Sequence, residues 1–113
     1  MHISQEKHDE VIVVAPQGRI DSTTSAAFDA HLAGLPKISQ PRIVIDFAEV
    51  DYISSAGLRV MLTLAKRVRD ARGALALCSL DDTVRQVFEL AGFLPLFAVE
   101  GSRDGAVRAV ASR

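Results

Sequence analysis

The sequence predicts an α/β fold: one domain over residues 1–113, with a mixed, largely parallel central sheet of about five strands and about four helices packed on it. Three observations lead there. The runs Val11–Ala15, Ile43–Ile45 and Ala74–Cys78 are apolar without interruption, as strands are when both faces of a sheet are covered. Between and after them apolar residues recur at helical spacing, most clearly Leu58, Met61, Leu62, Ala65 and Val68. Capping residues, glycines and prolines separate the two kinds of segment.

Taken in order, residues 2–7 suit a polar edge strand and Val11–Ala15 a central one. Pro16, Gln17 and Gly18 interrupt that strand, and Arg19-Ile20 is expected to extend the sheet briefly. Asp21-Ser22-Thr23-Thr24-Ser25 offers several N-caps to a helix that buries Phe28, Leu32 and Leu35 and ends at Gly34 and Pro36. The strand Ile43–Phe47 follows, then a short acidic loop, then the helix whose first turn carries Ser54 and Ser55. Arg72-Gly73 closes that helix with a basic last turn and a C′ glycine. After the strand Ala74–Cys78, Asp81 or Asp82 caps a helix that faces Val84, Val87, Phe88 and Ala91 inward and stops at Gly92. Leu96–Val99 reads as a short strand, and Ser102 caps a last helix with Ala106, Val107 and Val110 inward. Alternation from residue 42 onward implies parallel strands joined by right-handed crossovers, with the opening strand pair as the exception.

The totals remove several function classes. A length of 113 residues, 49% apolar and 24% charged, is ordinary for one globular domain. A net charge of −1 opposes nonspecific nucleic-acid binding, which needs a basic surface. The single cysteine, Cys78, has no disulfide partner and lies in an apolar run, so a buried structural thiol is expected. The segment His2–Glu10 is polar, and no apolar run reaches the roughly 18 residues that span a bilayer. The expectation is a cytoplasmic, monomeric domain without membrane insertion or cofactor.

Catalytic patterns are missing. His2, His8 and His31 share no short motif with a serine or with Cys78, and Ser54-Ser55-Ala56-Gly57 lacks the leading glycine of a nucleophile elbow. No GxGxxG or Walker motif occurs, so an enzyme is not expected. Asp46, Glu49 and Asp51 do not follow calcium-loop spacing; Asp46, at a strand end, suits bonding to loop amides. The serines stand where open α/β sheets place their sites, at the carboxyl ends of parallel strands. If Ser54 caps the helix, Ser55 faces solvent in the first turn. A phosphate there would bring about −1.5 to −2 charges, which free first-turn amides and the helix dipole tolerate. Plain capping and a binding switch both fit. Gly57 permits close approach to this turn, and Arg59, Lys66, Arg67 and Arg69 lie on or near the outer side of the helix.

Ile45-Asp46-Phe47 followed by Val50-Asp51-Tyr52-Ile53-Ser54-Ser55-Ala56-Gly57-Leu58 resembles the signature of STAS domains, specifically the bacterial anti-sigma factor antagonists. Gly18-Arg19-Ile20-Asp21 and the stretch Val84–Phe93 resemble two further family segments, so the likeness covers nearly the whole chain. It implies the STAS fold and a non-enzymatic role. In an Asp-Ser-x-Gly-Leu motif the second position is phosphorylated; carried over, that residue is Ser55. Ser54 replaces the family aspartate and is a minor alternative site. The resemblance places Asp21, Ser54, Ser55, Ala56, Gly57, Leu58 and Arg59 at the partner-binding surface. It implies that the unphosphorylated chain binds an anti-sigma factor that is a GHKL-type serine kinase, releasing that kinase's client. Phosphorylation ends the complex and a PP2C-type phosphatase resets it. The alternative is a constitutive STAS subunit of a lipid-transport complex at the inner membrane, with Ser55 only in a helix cap; a hydrolase ranks last.

Overall fold

The computed structural model describes residues 1–112. Strands β1 (Ile3–His8), β2 (Val11–Pro16), β4 (Arg42–Asp46), β6 (Ala74–Cys78) and β7 (Ala98–Glu100) form a five-stranded sheet in the order β1-β2-β4-β6-β7. The pair β1–β2 is an antiparallel hairpin turned at Asp9, with His8 opposite Val11. From β2 outward every pairing is parallel, as the alternation of elements requires.

The uninterrupted apolar runs have a direct cause. Val13, Val44, Ala76 and Cys78 point to one face, where helix α4 (Arg103–Ala111) brings Ala106 and Val110 against them. Val14, Ile43, Ile45, Leu75 and Leu77 point to the other, under α1 (Ser25–Ala33), α2 (Ser55–Asp70) and α3 (Asp82–Leu90). Small residues fill the α4 side, and the large core lies on the opposite side, with Phe28, Phe47, Phe88 and Met61 fully buried. The rings of Phe47 and Phe88 meet edge to face at 6.0 Å, and those of Phe88 and Phe97 at 5.7 Å.

Several expectations need correction. The acidic segment after β4 contains strand β5 (Val50–Ile53), which pairs with β3 (Gly18–Ile20) in a separate two-stranded parallel sheet. Arg19-Ile20 therefore extends no strand of the main sheet. Leu96–Val99 divides into a 3-10 turn over Leu94–Leu96, with Pro95 in its first turn, and β7. Ala91 is exposed at the end of α3, and Val87 is only partly covered. At the end of α2 the left-handed residue is Arg72 (φ 58), not Gly73. The amide of Arg72 donates to the Arg69 carbonyl at 3.0 Å and that of Gly73 to the Val68 carbonyl at 2.8 Å, closing a Schellman motif. Gly73 is required by space: a β-carbon there would lie 2.2 Å from the Pro41 carbonyl oxygen.

Candidate functional site

The small sheet β3–β5 seats the N-terminus of α2. The backbone amide of Ser54 donates to the Ile20 carbonyl at 2.8 Å, carrying the β3–β5 pairing one residue past β5. Ser54 is extended (φ −93, ψ 175), and its hydroxyl oxygen accepts from the Gly57 amide at 3.3 Å. It is the N-cap. Ser55, the next residue, opens α2, is exposed, and makes no side-chain hydrogen bond with any described residue. The amides of Ser55 and Ala56 belong to the first turn, where no preceding carbonyl is within helical reach.

Gly57 decides how closely α2 approaches the sheet. A β-carbon at this position would stand 2.7 Å from Ile20 Cγ2, 2.7 Å from Ile53 Cγ1 and 3.3 Å from the Ile20 carbonyl oxygen. Gly57 and Leu58 are buried, so they shape the site from beneath and offer it no side-chain surface. Ala56 is partly exposed and Arg59 exposed. The Arg59 guanidinium forms no ion pair with any described residue. It lines a shallow cavity of about 220 Å³ between α1 and α2, with Ser25, Asp29 and Ala56.

Asp21 stands beside this turn, at the end of β3. Its Oδ1 accepts from the Thr23 hydroxyl at 2.7 Å, the Thr23 amide at 2.9 Å and the Thr24 amide at 3.2 Å. The Thr23 hydroxyl, then the Thr23 amide, hold its carboxyl below the usual carboxylate range. Of the candidate caps, Thr24 occupies the N-cap position of α1 without capping it; its hydroxyl donates to the Arg19 carbonyl at 2.7 Å. The Arg19 guanidinium lies 4.3 Å from the Tyr52 ring centroid and 3.7 Å from Asp21 Oδ2. Asp21, Arg19 and Tyr52 thus form a polar rim next to the Ser54–Ser55 turn.

The basic face of α2 is smaller than its sequence suggests. Arg67 is turned inward: its Nη1 donates to the Leu32 carbonyl at 2.7 Å and its Nη2 to those of Leu35 at 2.9 Å and Pro36 at 3.3 Å. It ties down the end of α1. Lys66, Arg59 and Arg69 remain exposed.

The acids do not assemble a metal site; among the described residues no cluster of His, Cys, Asp or Glu has metal-binding geometry. Asp46 is only 4% exposed, its Oδ1 accepting from the Ala48 amide at 2.9 Å and its Oδ2 from Arg103 Nε at 2.8 Å. Arg103 also bonds Glu6 on the edge strand. Sequence reading found the Asp46 loop bond but not Arg103, which no local pattern links to it. His8 bonds Glu6 and His31 bonds Gln5, and neither hydrogen-bonds a serine among the described residues. Cys78 is buried, and desolvation pushes its thiol up to about 11.

The fold and this surface define an α/β domain whose exposed serine heads a helix, beside an acid-and-arginine rim. A family description of the STAS domain matches residues 2–106, and the chain belongs to that family. BtrV of Bordetella bronchiseptica, assigned as an anti-sigma factor antagonist, is 41% identical over 109 residues, covering 96% of this chain and 94% of that protein. An anti-sigma factor antagonist from Mycobacterium paratuberculosis matches in structure with a TM-score of 0.85 at 24% identity, over 97% of this chain and 93% of its own. The Bacillus cell-fate determinant SpoIIAA in its phosphorylated form matches with a TM-score of 0.69 at 19% identity, over 96% of this chain and 99% of its own. At such identities the structural likeness speaks for the fold alone. Among the described residues no helix is long and apolar enough to cross a membrane.

Proposed function

We propose that this chain is an anti-sigma factor antagonist that works by partner switching, with Ser55 as the phosphorylated residue. The unphosphorylated form binds a serine kinase of the GHKL type that doubles as an anti-sigma factor, and so releases its client. Phosphorylation of Ser55 ends the complex, and a PP2C-type phosphatase restores it. The observation that carries this reading is the division of labour between two adjacent serines. Ser54 is committed to the cap, whereas Ser55 is exposed with its hydroxyl unengaged. Ser54 supplies a cap oxygen where the family aspartate would stand, which accounts for the exchange at that position.

Asp21, Ala56 and Arg59 complete the contact surface, supported from below by Gly57 and Leu58. A dianion pressed into such an interface without a new cationic partner costs several kcal/mol in desolvation and repulsion, and each ~1.4 kcal/mol is a tenfold loss of affinity. The names of the relatives support the antagonist role, and the phosphorylated form of SpoIIAA supports a fold that carries phosphate.

Intact-mass measurement of the protein with its candidate kinase and ATP tests the assignment. One added phosphate is expected on wild type and on Ser54→Ala, and none on Ser55→Ala. Wild-type phosphate uptake by Ser55→Ala would remove Ser55 from the role. Capture of a membrane transporter, with no phosphate acquired, would instead favour the constitutive-subunit reading.

A further inference from the structure

The far end of α2 carries a second feature, which partner switching at Ser55 does not use. A groove of about 590 Å³ lies between the last turns of α2 and the 3-10 turn before β7. That volume falls within the roughly 300–1,000 Å³ of small-molecule sites. Leu62, Ala65, Leu75 and Phe97 give it an apolar lining. Its charge has one sign: Lys66, Arg69 and Arg72 line it and no Asp or Glu does, on a chain of net charge −1.

The groove also has direction. Along α2 the apolar Leu62 and Ala65 come before Arg69 and Arg72, a span of roughly 15 Å at the helical rise per residue. Its α2 wall therefore passes from apolar to basic, with Leu75 and Phe97 as the apolar side facing it. Last-turn cations often serve only the helix dipole. Here the Schellman bonds already take the Val68 and Arg69 carbonyls. Neither Lys66 nor Arg72 is ion-paired with a described residue, and Arg69 has only an exposed 3.8 Å contact with Asp70. Arg72, moreover, holds φ 58 at the C′ position, where glycine would sit without strain. Arg72 thus presents a charge without an ion-pair partner among the described residues on the rim of a one-signed groove, which suits an anionic ligand.

We propose that this groove binds a single-chain anionic amphiphile taken up as a free monomer. Its linear chain lies on Leu62, Ala65, Leu75 and Phe97, and its phosphate or carboxylate head lies between Arg69 and Arg72 with Lys66 alongside. The proposal is independent of the reading of Ser55.

The test is a titration of the 15N-labelled full chain with dodecyl phosphate below its micellar concentration, with inorganic phosphate and dodecanol in parallel arms. Saturable shifts are expected with dodecyl phosphate at the amides of Ala65, Arg69, Arg72, Leu75 and Ala98, and weak or no response to either control. Arg72→Gly should bind about tenfold more weakly, the loss of one charge-assisted contact, while its Tm rises because glycine suits the left-handed position. Weaker binding by a more stable protein cannot come from unfolding. Lys66→Gln combined with Arg69→Gln should weaken binding further. The proposal is overturned by an absence of saturable shifts, by shifts spread over the whole surface, or by an equal response to dodecanol or inorganic phosphate. Unchanged affinity in both variants overturns it as well.

Discussion

At position 57 the constraint is space rather than backbone conformation, since Gly57 lies in ordinary helix between Ile20, Ile53 and the Ile20 carbonyl. Gly92 is the opposite case: its φ of 74 favours glycine although a β-carbon would touch nothing within 4 Å. Gly57→Ala must lift the first turn of α2 off β3, because the buried isoleucines cannot retreat. Overpacking of this kind costs about 1–3 kcal/mol, and equilibrium urea unfolding reads it directly. The amide of Ser54 bonds the Ile20 carbonyl across the same contact, so its NMR signal should move with the loss of stability. A variant as stable as wild type, with the Ser54 amide unmoved, would show that the turn is not held by this contact.

Between elements, the least visible tie is the Arg67 guanidinium on the carbonyls that end α1. Lysine has one nitrogen and cannot reproduce a fork that reaches Leu32, Leu35 and Pro36 together. Arg67→Ala and Arg67→Lys should therefore both destabilise, by about 1–3 kcal/mol for carbonyls left without their charged donor. Rescue of chemical unfolding by lysine alone would mean that charge, not geometry, matters there. Nothing in the sequence distinguishes Arg67 from Lys66 beside it, because its partners lie on another helix and in the turn that follows it. The same limit hid Arg103 from Asp46 and β5 from β3. Val50–Ile53 and Gly18–Ile20 are too short to show a strand period, and their pairing joins distant parts of the chain. What was legible had a local cause. Strands covered on both faces are apolar through their centres, so β2, β4 and β6 stood out. A cap acts over three residues, so Ser54 and its neighbour Ser55 are legible at a helix head in the sequence itself. The rim of Asp21, Arg19 and Tyr52 was only half legible, since the arginine reaches its ring across the β3–β5 pairing.

On the scale of the whole molecule, Ser55 stands outside everything that holds the domain together. The core closes beneath Gly57 and Leu58, the α4 layer packs on the opposite face of the sheet, and the Ser55 hydroxyl bonds no described group. A negative charge at this position therefore has little fold to disturb. At a helix N-terminus it even gains about 0.3–1 kcal/mol from the dipole. Ser55→Asp should melt at the wild-type temperature or slightly above it, with amide shifts confined to the first turn of α2 and the Asp21–Thr24 turn. Its affinity for the proposed kinase partner, measured by calorimetry, should nonetheless fall at least about tenfold, because the charge must be desolvated in the interface. Stability and binding would then move independently, which is the signature of a surface switch on a rigid scaffold. A drop of several degrees in Tm, or shifts reaching β6 and α4, would instead mean that the charge acts by changing the conformation of the domain.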